Sequence, residues 1–136
     1  MDGKNLKRFG IILIIVTGIV HFIEAPEYFE EAAYMGALFV LNGIGSLAAA
    51  YGIYKNQKRS WVLGLLIAGG SIIGYIVSRT NGMPGVAIKE WADAIGILSL
   101  VVETLFVLIS VKVLTGKNET RLTFGAKTLP STARRG

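Results

Sequence analysis

The chain has 136 residues, of which 52% are hydrophobic and 17% are charged, and its formal net charge is +5. A soluble domain of this length would struggle to bury its long uninterrupted apolar runs, so the composition predicts an integral membrane protein. The sequence has no cysteine, which excludes disulfides, thiolate metal sites and thioether-linked haem.

The apolar runs predict four membrane-spanning helices, at about residues 6–25, 27–54, 61–79 and 91–114. The alternative for the first run is a signal peptide cleaved after Ala25. In the second helix, Pro26 is expected in the first turn, where proline is tolerated. Trp61 and Trp91 open the third and fourth runs, as expected for an aromatic belt at the membrane surface.

The fold class predicted from these runs is an all-α, integral membrane four-helix bundle over residues 1–114. A transmembrane barrel would instead show alternating apolar and polar positions, which the continuous apolar runs lack. Residues 115–136 are polar, basic and poor in aromatic side chains, so they are expected to form a mobile cytoplasmic tail.

The charges sort by position along the chain. All but two of the 14 basic residues lie at or before the start of the first run, between the second and third runs, or at or beyond the end of the fourth; the two others are Arg79 and Lys89. This is the positive-inside pattern, and it predicts that both termini are cytoplasmic. Attraction to anionic lipid headgroups explains the basic residues, so the expected partner is the lipid bilayer and no nucleic acid is expected.

Small residues recur at helical spacing inside the apolar runs. The third run carries Gly70, Gly74 and Ser78 four residues apart, and the second carries Gly45 and Ala49. Because small side chains let helix backbones approach closely in lipid, both stripes predict tight helix crossings.

Glu103 lies near the middle of the fourth run, where a carboxylate costs a few kcal/mol to insert. It must therefore face the bundle interior, a partner or water. Asn42 is expected at similar depth in the second run. One interpretation is a carboxylate that handles protons or cations, and the other is a protonated Glu103 that hydrogen-bonds Asn42 or a serine and joins two helices.

A second polar cluster is expected at the outer membrane boundary. Its members are His21, Glu24, Glu27, Arg79 and Asp93. His21 and Glu24 are one helical turn apart and are candidate ligands of a divalent metal. The alternative is structural, with Arg79 paired to Asp93 or a glutamate and His21 held by a hydrogen bond. No catalytic residue is predicted.

With the segment from His21 to Glu27 and the later segment from Ser78 to Gly85, the chain resembles a group of small four-helix membrane proteins of archaea and bacteria. It resembles more distantly the DoxX-like superfamily, in which a Gly-x-x-His-Phe-x-x-Pro-like segment closes the first helix. Gly18, His21 and Phe22 fit that pattern, and the proline falls one position late at Pro26. The resemblance implies a prokaryotic cell membrane protein and a small subunit of a respiratory or quinone-linked complex, and it carries over no catalytic residue.

The function predicted first is a non-catalytic accessory subunit of a membrane complex or a homo-oligomer, with the outer cluster used for partner docking or cation binding. The alternative is a small transporter or proton-coupled protein that uses Glu103. A third hypothesis is a redox component that binds quinone or haem between its helices. The residues specify no cofactor.

Overall fold

The computed structural model describes residues 3–91 and 93–116, and within them the protein is an all-α bundle without strands. Its helices are α1 (Gly3–Glu31), α2 (Ala33–Tyr54), α3 (Lys58–Arg79) and α4 (Ala94–Thr115). Each is long and apolar enough to cross a membrane. The predicted fold class is therefore confirmed, and the protein is an integral membrane protein. Most of the predicted tail, residues 117–136, lies outside the described residues.

The boundary between the first two helices differs from the prediction. Pro26 lies inside α1, which continues to Glu31, and only Ala32 separates it from α2. The prediction that the second helix begins at residue 27 is wrong because Ala25 and Tyr28, on either side of the proline, are buried against the bundle. Packing against neighbouring helices lets membrane helices accommodate an internal proline.

Because α1 is longer than predicted, the acidic residues lie at the end of one helix and not at the start of the next. Glu27, Glu30 and Glu31 now occupy the last turns of α1, where the helix dipole presents its negative end. Carboxylates are unfavourable there unless a cation is close. Lys89, from the connection between α3 and α4, supplies one by pairing with Glu31.

The connection between α3 and α4 covers residues 80–93, so α4 begins at Ala94 and not at Trp91 as predicted. Trp91 lies in a turn, with its ring edge-on to Tyr75 and its carbonyl accepting a hydrogen bond from the Tyr75 hydroxyl at 2.9 Å. The carbonyl of Pro84 accepts a bond from the hydroxyl of Tyr34 in α2. These bonds hold the connection against the end of the bundle.

The four helices form a closed ring in which α1 and α3 each pack against α2 and α4. Short connections make successive helices antiparallel, so the bundle has two chemically distinct ends. The basic end holds the start of α1 and the end of α2, where the Lys7 ammonium lies 5.6 Å from the ring centroid of Tyr54. The acidic end holds the last turns of α1 and the 80–93 connection.

The half of the bundle toward the basic end is closely packed. Its buried core contains Ile14, Ala49, Ile53, Trp61 and Phe106. The rings of Trp61 and Phe106 stack with centroids 5.9 Å apart. Lipid tails provide little hydrophobic drive between helices, so this dense packing is what stabilises the bundle.

The half toward the acidic end is hollow along α3. A Cβ added to Gly70 or Gly74 would meet no heavy atom of the described residues within 4 Å, apart from its own local backbone. The prediction of a tight crossing is therefore wrong for these two glycines. Instead of receiving a neighbouring helix, their missing side chains leave space that becomes the cavity described next.

Candidate functional site

A cavity of about 370 Å³ lies between the helices in the hollow half of the bundle. Its volume is in the range of pockets that hold small organic ligands. Its charged and hydrogen-bonding lining includes His21, Glu24, Asn42, Ser71, Arg79 and Glu103. The remaining lining is mainly apolar and aromatic, and every helix contributes to it.

Glu103 is the most deeply buried charged residue of this cavity, with 2% of its surface exposed. Its Oε1 atom accepts a hydrogen bond from the Ser99 hydroxyl at 2.8 Å. The Nε2 atom of His21 lies 3.7 Å from the same oxygen. This separation is too long for a direct hydrogen bond, and the two groups attract each other as an ion pair when His21 is protonated and Glu103 is ionised.

The second nitrogen of His21 fixes what the ring can offer Glu103. Nδ1 lies 2.8 Å from the carbonyl oxygen of Thr17. Because a carbonyl oxygen only accepts, Nδ1 carries the hydrogen and Nε2 faces the carboxyl group. The pair then has two complementary forms: a neutral imidazole facing a carboxylic acid, or an imidazolium facing a carboxylate. The two forms contain the same number of protons and differ only in whether the shared proton lies on Glu103 or on Nε2 of His21.

Asn42 joins two helices beside this pair and does not hydrogen-bond to Glu103. Its Nδ2 atom donates to the Ser71 hydroxyl at 2.5 Å, which links α2 to α3. Its Oδ1 atom accepts from Ser46 at 3.2 Å. Of the two hydrogen-bond partners expected for Glu103, the structure therefore provides a serine, Ser99, and uses Asn42 elsewhere.

Arg79 lies at the acidic end of the cavity and is 7% exposed. Its guanidinium donates to the Glu90 carbonyl at 3.0 Å and to the Ser78 hydroxyl at 2.8 Å, and it lies 3.6 Å from the ring centroid of Tyr75. The remaining nitrogen is 3.7 Å from an oxygen of Asp93. Arg79 thus holds the 80–93 connection to α3, and all its nitrogens face partners.

Glu24 lies between the deep pair and the acidic end. It lines the main cavity and also a recess of about 300 Å³, which Glu27, Arg79 and Asp93 line as well. Four of the five residues predicted for the outer cluster therefore share this recess. His21 does not line it and instead faces Glu103 from the main cavity.

The sequence does not predict that His21 pairs with Glu103, because the first helix is predicted to end at residue 25. With α1 ending at Glu31, His21 lies about 15 Å from that end, and Glu103 lies about 14 Å beyond the start of α4. Both ends belong to the acidic side, so the two residues reach the same depth. A helix ending at Ala25 would have placed His21 at the membrane surface. With the first helix extended to Glu31, counting residues back from its end would place His21 at the depth of Glu103.

The metal hypothesis gains no support from the arrangement of donors. Among residues 3–91 and 93–116, no three His, Cys, Asp or Glu side chains are grouped to hold a metal ion. Of the two candidate ligands, His21 directs one nitrogen at the Thr17 carbonyl and the other at Glu103.

No protein-family model, curated protein or solved structure matches the chain. The DoxX-like resemblance therefore stays a prediction from the sequence. The function is therefore inferred from the cavity and from the His21–Glu103 pair that lines it.

Proposed function

We propose that the protein is a small proton-coupled membrane carrier, which binds its ligand in the cavity and uses Glu103 with His21 to couple binding to proton movement. The observation that carries the proposal is the His21–Glu103 pair, buried at mid-depth in the wall of a ligand-sized cavity. Ionisable residues inside a membrane are costly and commonly mark substrate or proton pathways.

The shape of the bundle supports this choice. The cavity occupies the half toward the acidic end, while Ile14, Ile53, Trp61 and Phe106 fill the other half. A carrier needs one central site that communicates with one side of the membrane at a time. A bundle that is hollow at one end and packed at the other matches one such state.

The orientation belongs to the same proposal. The basic residues at the start of α1, at the start of α3 and near the ends of α2 and α4 support an orientation with the packed end and both termini in the cytoplasm. The cavity then faces outward. In a prokaryotic cell membrane, where the outside is commonly more acidic, protons would enter the cavity from its hollow end.

The chemistry of the pair supports proton coupling over a purely structural role. A ligand that brings a positive charge beside Glu103 favours a third state, in which a neutral imidazole faces a carboxylate and the pair has released the shared proton. By contrast, the accessory-subunit hypothesis needs outer charges that are available to a partner. Arg79, the cation of the outer cluster, is buried and faces Glu90, Ser78 and Asp93, so it is not available to a partner.

The test is uptake into proteoliposomes under an imposed pH gradient, with an amine, a carboxylate, a neutral sugar and a zwitterionic amino acid as probes. We expect uptake of one class that depends on the gradient and is lost in Glu103→Gln. Glu30→Gln is the matched control, because Glu30 is exposed and lines neither the cavity nor the recess. Uptake of none of the four classes, or uptake that survives Glu103→Gln, would overturn the proposal.

A further inference from the structure

We propose, on the basis of the proposed function, that the ligand is a lipophilic amine that enters from the bilayer through an opening between α2 and α3 and exchanges for a proton at Glu103. The opening, the charge of the cavity and its aromatic lining support this proposal separately.

The opening lies where the missing side chains of α3 leave space. Gly70 is exposed, lines the cavity and has no described heavy atom within 4 Å of an added Cβ beyond its local backbone. On either side, Leu38 of α2 and Leu66 of α3 also line the cavity, and they are 50% and 69% exposed. Residues that are both exposed and part of the lining mark a side entrance to the cavity.

This entrance lies deep in the membrane. Gly70 is about 14 Å from the end of α3 at Arg79, close to the depth of Glu103. An entrance at that depth faces hydrocarbon, so whatever uses it must first dissolve in the bilayer. The ligand therefore needs a substantial apolar body.

The charges of the cavity favour a cation as the polar end of that ligand. Glu24 and Glu103 line the cavity, and Arg79 is its only permanently cationic lining residue among those the structure describes. The guanidinium of Arg79 is already directed at Glu90, Ser78 and Asp93. An anionic ligand would meet two carboxyl groups and an arginine already engaged, whereas an ammonium group would meet the carboxyl groups of Glu24 and Glu103.

Aromatic rings line the route to these carboxyl groups. The ring of Phe39 lies 5.0 Å from that of His21 and stacks on Tyr28 at 4.0 Å. Phe39, Tyr28 and Tyr75 all line the cavity. Aromatic faces attract ammonium groups and pack against apolar bodies, so both parts of a lipophilic amine are accommodated.

The exchange balances in charge. A protonated amine brings one positive charge to Glu103, and the proton held by the His21–Glu103 pair leaves toward the hollow end. The net charge of the cavity is then unchanged, which avoids placing an uncompensated charge at low dielectric. No bond other than those to the exchanged proton is formed or broken.

The experiment is isothermal titration calorimetry of the protein in lipid nanodiscs, with phenethylamine and the similarly sized anion 3-phenylpropionate as probes and empty nanodiscs as the blank. Repeating the titration in buffers of different ionisation enthalpy counts the protons released. We expect the amine to bind at least about tenfold more tightly than the anion and to release a proton, and Glu103→Gln to weaken binding by a similar factor.

The route is tested with Gly70→Leu, which places a side chain in the opening. Gly69→Leu is the matched control: Gly69 also has open space around an added Cβ but does not line the cavity. We expect Gly70→Leu to slow amine association by about tenfold and Gly69→Leu to leave it unchanged. Equal association rates in the two variants would overturn the route. Efficient disulfide cross-linking of Gly70→Cys between two copies would also overturn it, because a second copy would then cover the opening.

The outcomes separate the two proposals. If the amine fails to bind while another probe class shows Glu103-dependent uptake, the ligand class is wrong and the proposed function stands. If the amine binds equally well to Glu103→Gln and releases no proton, exchange at Glu103 is wrong. If, in addition, no probe class shows Glu103-dependent uptake, both proposals fail.

Discussion

Adding one methyl group at each of two glycines of α3 tests the division of the bundle into a packed and a hollow half. The substitutions are Gly64→Ala and Gly70→Ala. At Gly64 the new Cβ would lie 2.5 Å from Cζ and 2.6 Å from Cε1 of Phe106. At Gly70 it would meet no described heavy atom within 4 Å beyond the local backbone.

The two variants should differ in stability by the cost of overpacking alone. Each gains about 0.5–1 kcal/mol from replacing a mid-helix glycine by alanine. Phe106 is fully buried and stacked on Trp61, so it has no free space into which to move. Overpacking of this kind costs about 1–3 kcal/mol. Gly70→Ala should therefore equal or exceed the wild type in stability, and Gly64→Ala should be about 1–3 kcal/mol less stable than Gly70→Ala.

The assay is SDS-induced unfolding in a mild detergent, followed by tryptophan fluorescence. Trp61 stacks on the ring that must move, so its emission reports directly on the perturbed contact. Replacing that ring with a smaller side chain should relieve the clash. Phe106→Leu should therefore lower the stability less in the Gly64→Ala background than in the wild type. Equal midpoints for Gly64→Ala and Gly70→Ala, or loss of stability in Gly70→Ala alone, would refute the assignment of packed and hollow halves.

Three further predictions concern orientation, the buried carboxyl group and the outer connection. The chain has no cysteine, so single-cysteine variants report orientation cleanly: a membrane-impermeant maleimide added to intact cells should label Asn81→Cys but not Gln57→Cys, and the reverse pattern would invert the topology. Glu103→Leu should lower bundle stability by about 1 kcal/mol in the SDS assay while Glu103→Gln stays close to the wild type, because glutamine keeps an acceptor for the Ser99 hydroxyl. Lys89→Met should remove the ion pair with Glu31 and speed hydrogen exchange in residues 80–91, at a cost of about 1 kcal/mol or less; unchanged exchange would show that the pair does not hold this connection.

The sequence by itself determined the class and layout of this protein. Each membrane span is recognisable alone, because an uninterrupted apolar run of about 20 residues reflects the transfer of that one segment into lipid. The sorting of lysine and arginine into alternate gaps is likewise visible without any contact between helices. The ends of the spans depend on packing as well: the sequence predicts Pro26 at a helix start, and only the packing of its neighbours Ala25 and Tyr28 keeps α1 continuous beyond it.

Only the tertiary structure decided which residues meet. His21 and Glu103 are 82 positions apart in the sequence, and their pairing depends on where α1 ends and on how far each helix is rotated about its axis. Hydropathy says little about either quantity, because lipid accepts an apolar residue on any face. The small residues of α3 show the same ambiguity. Gly64 packs against Phe106 while Gly70 borders a cavity, since a missing side chain permits either close approach or empty space, and the neighbouring helix determines which.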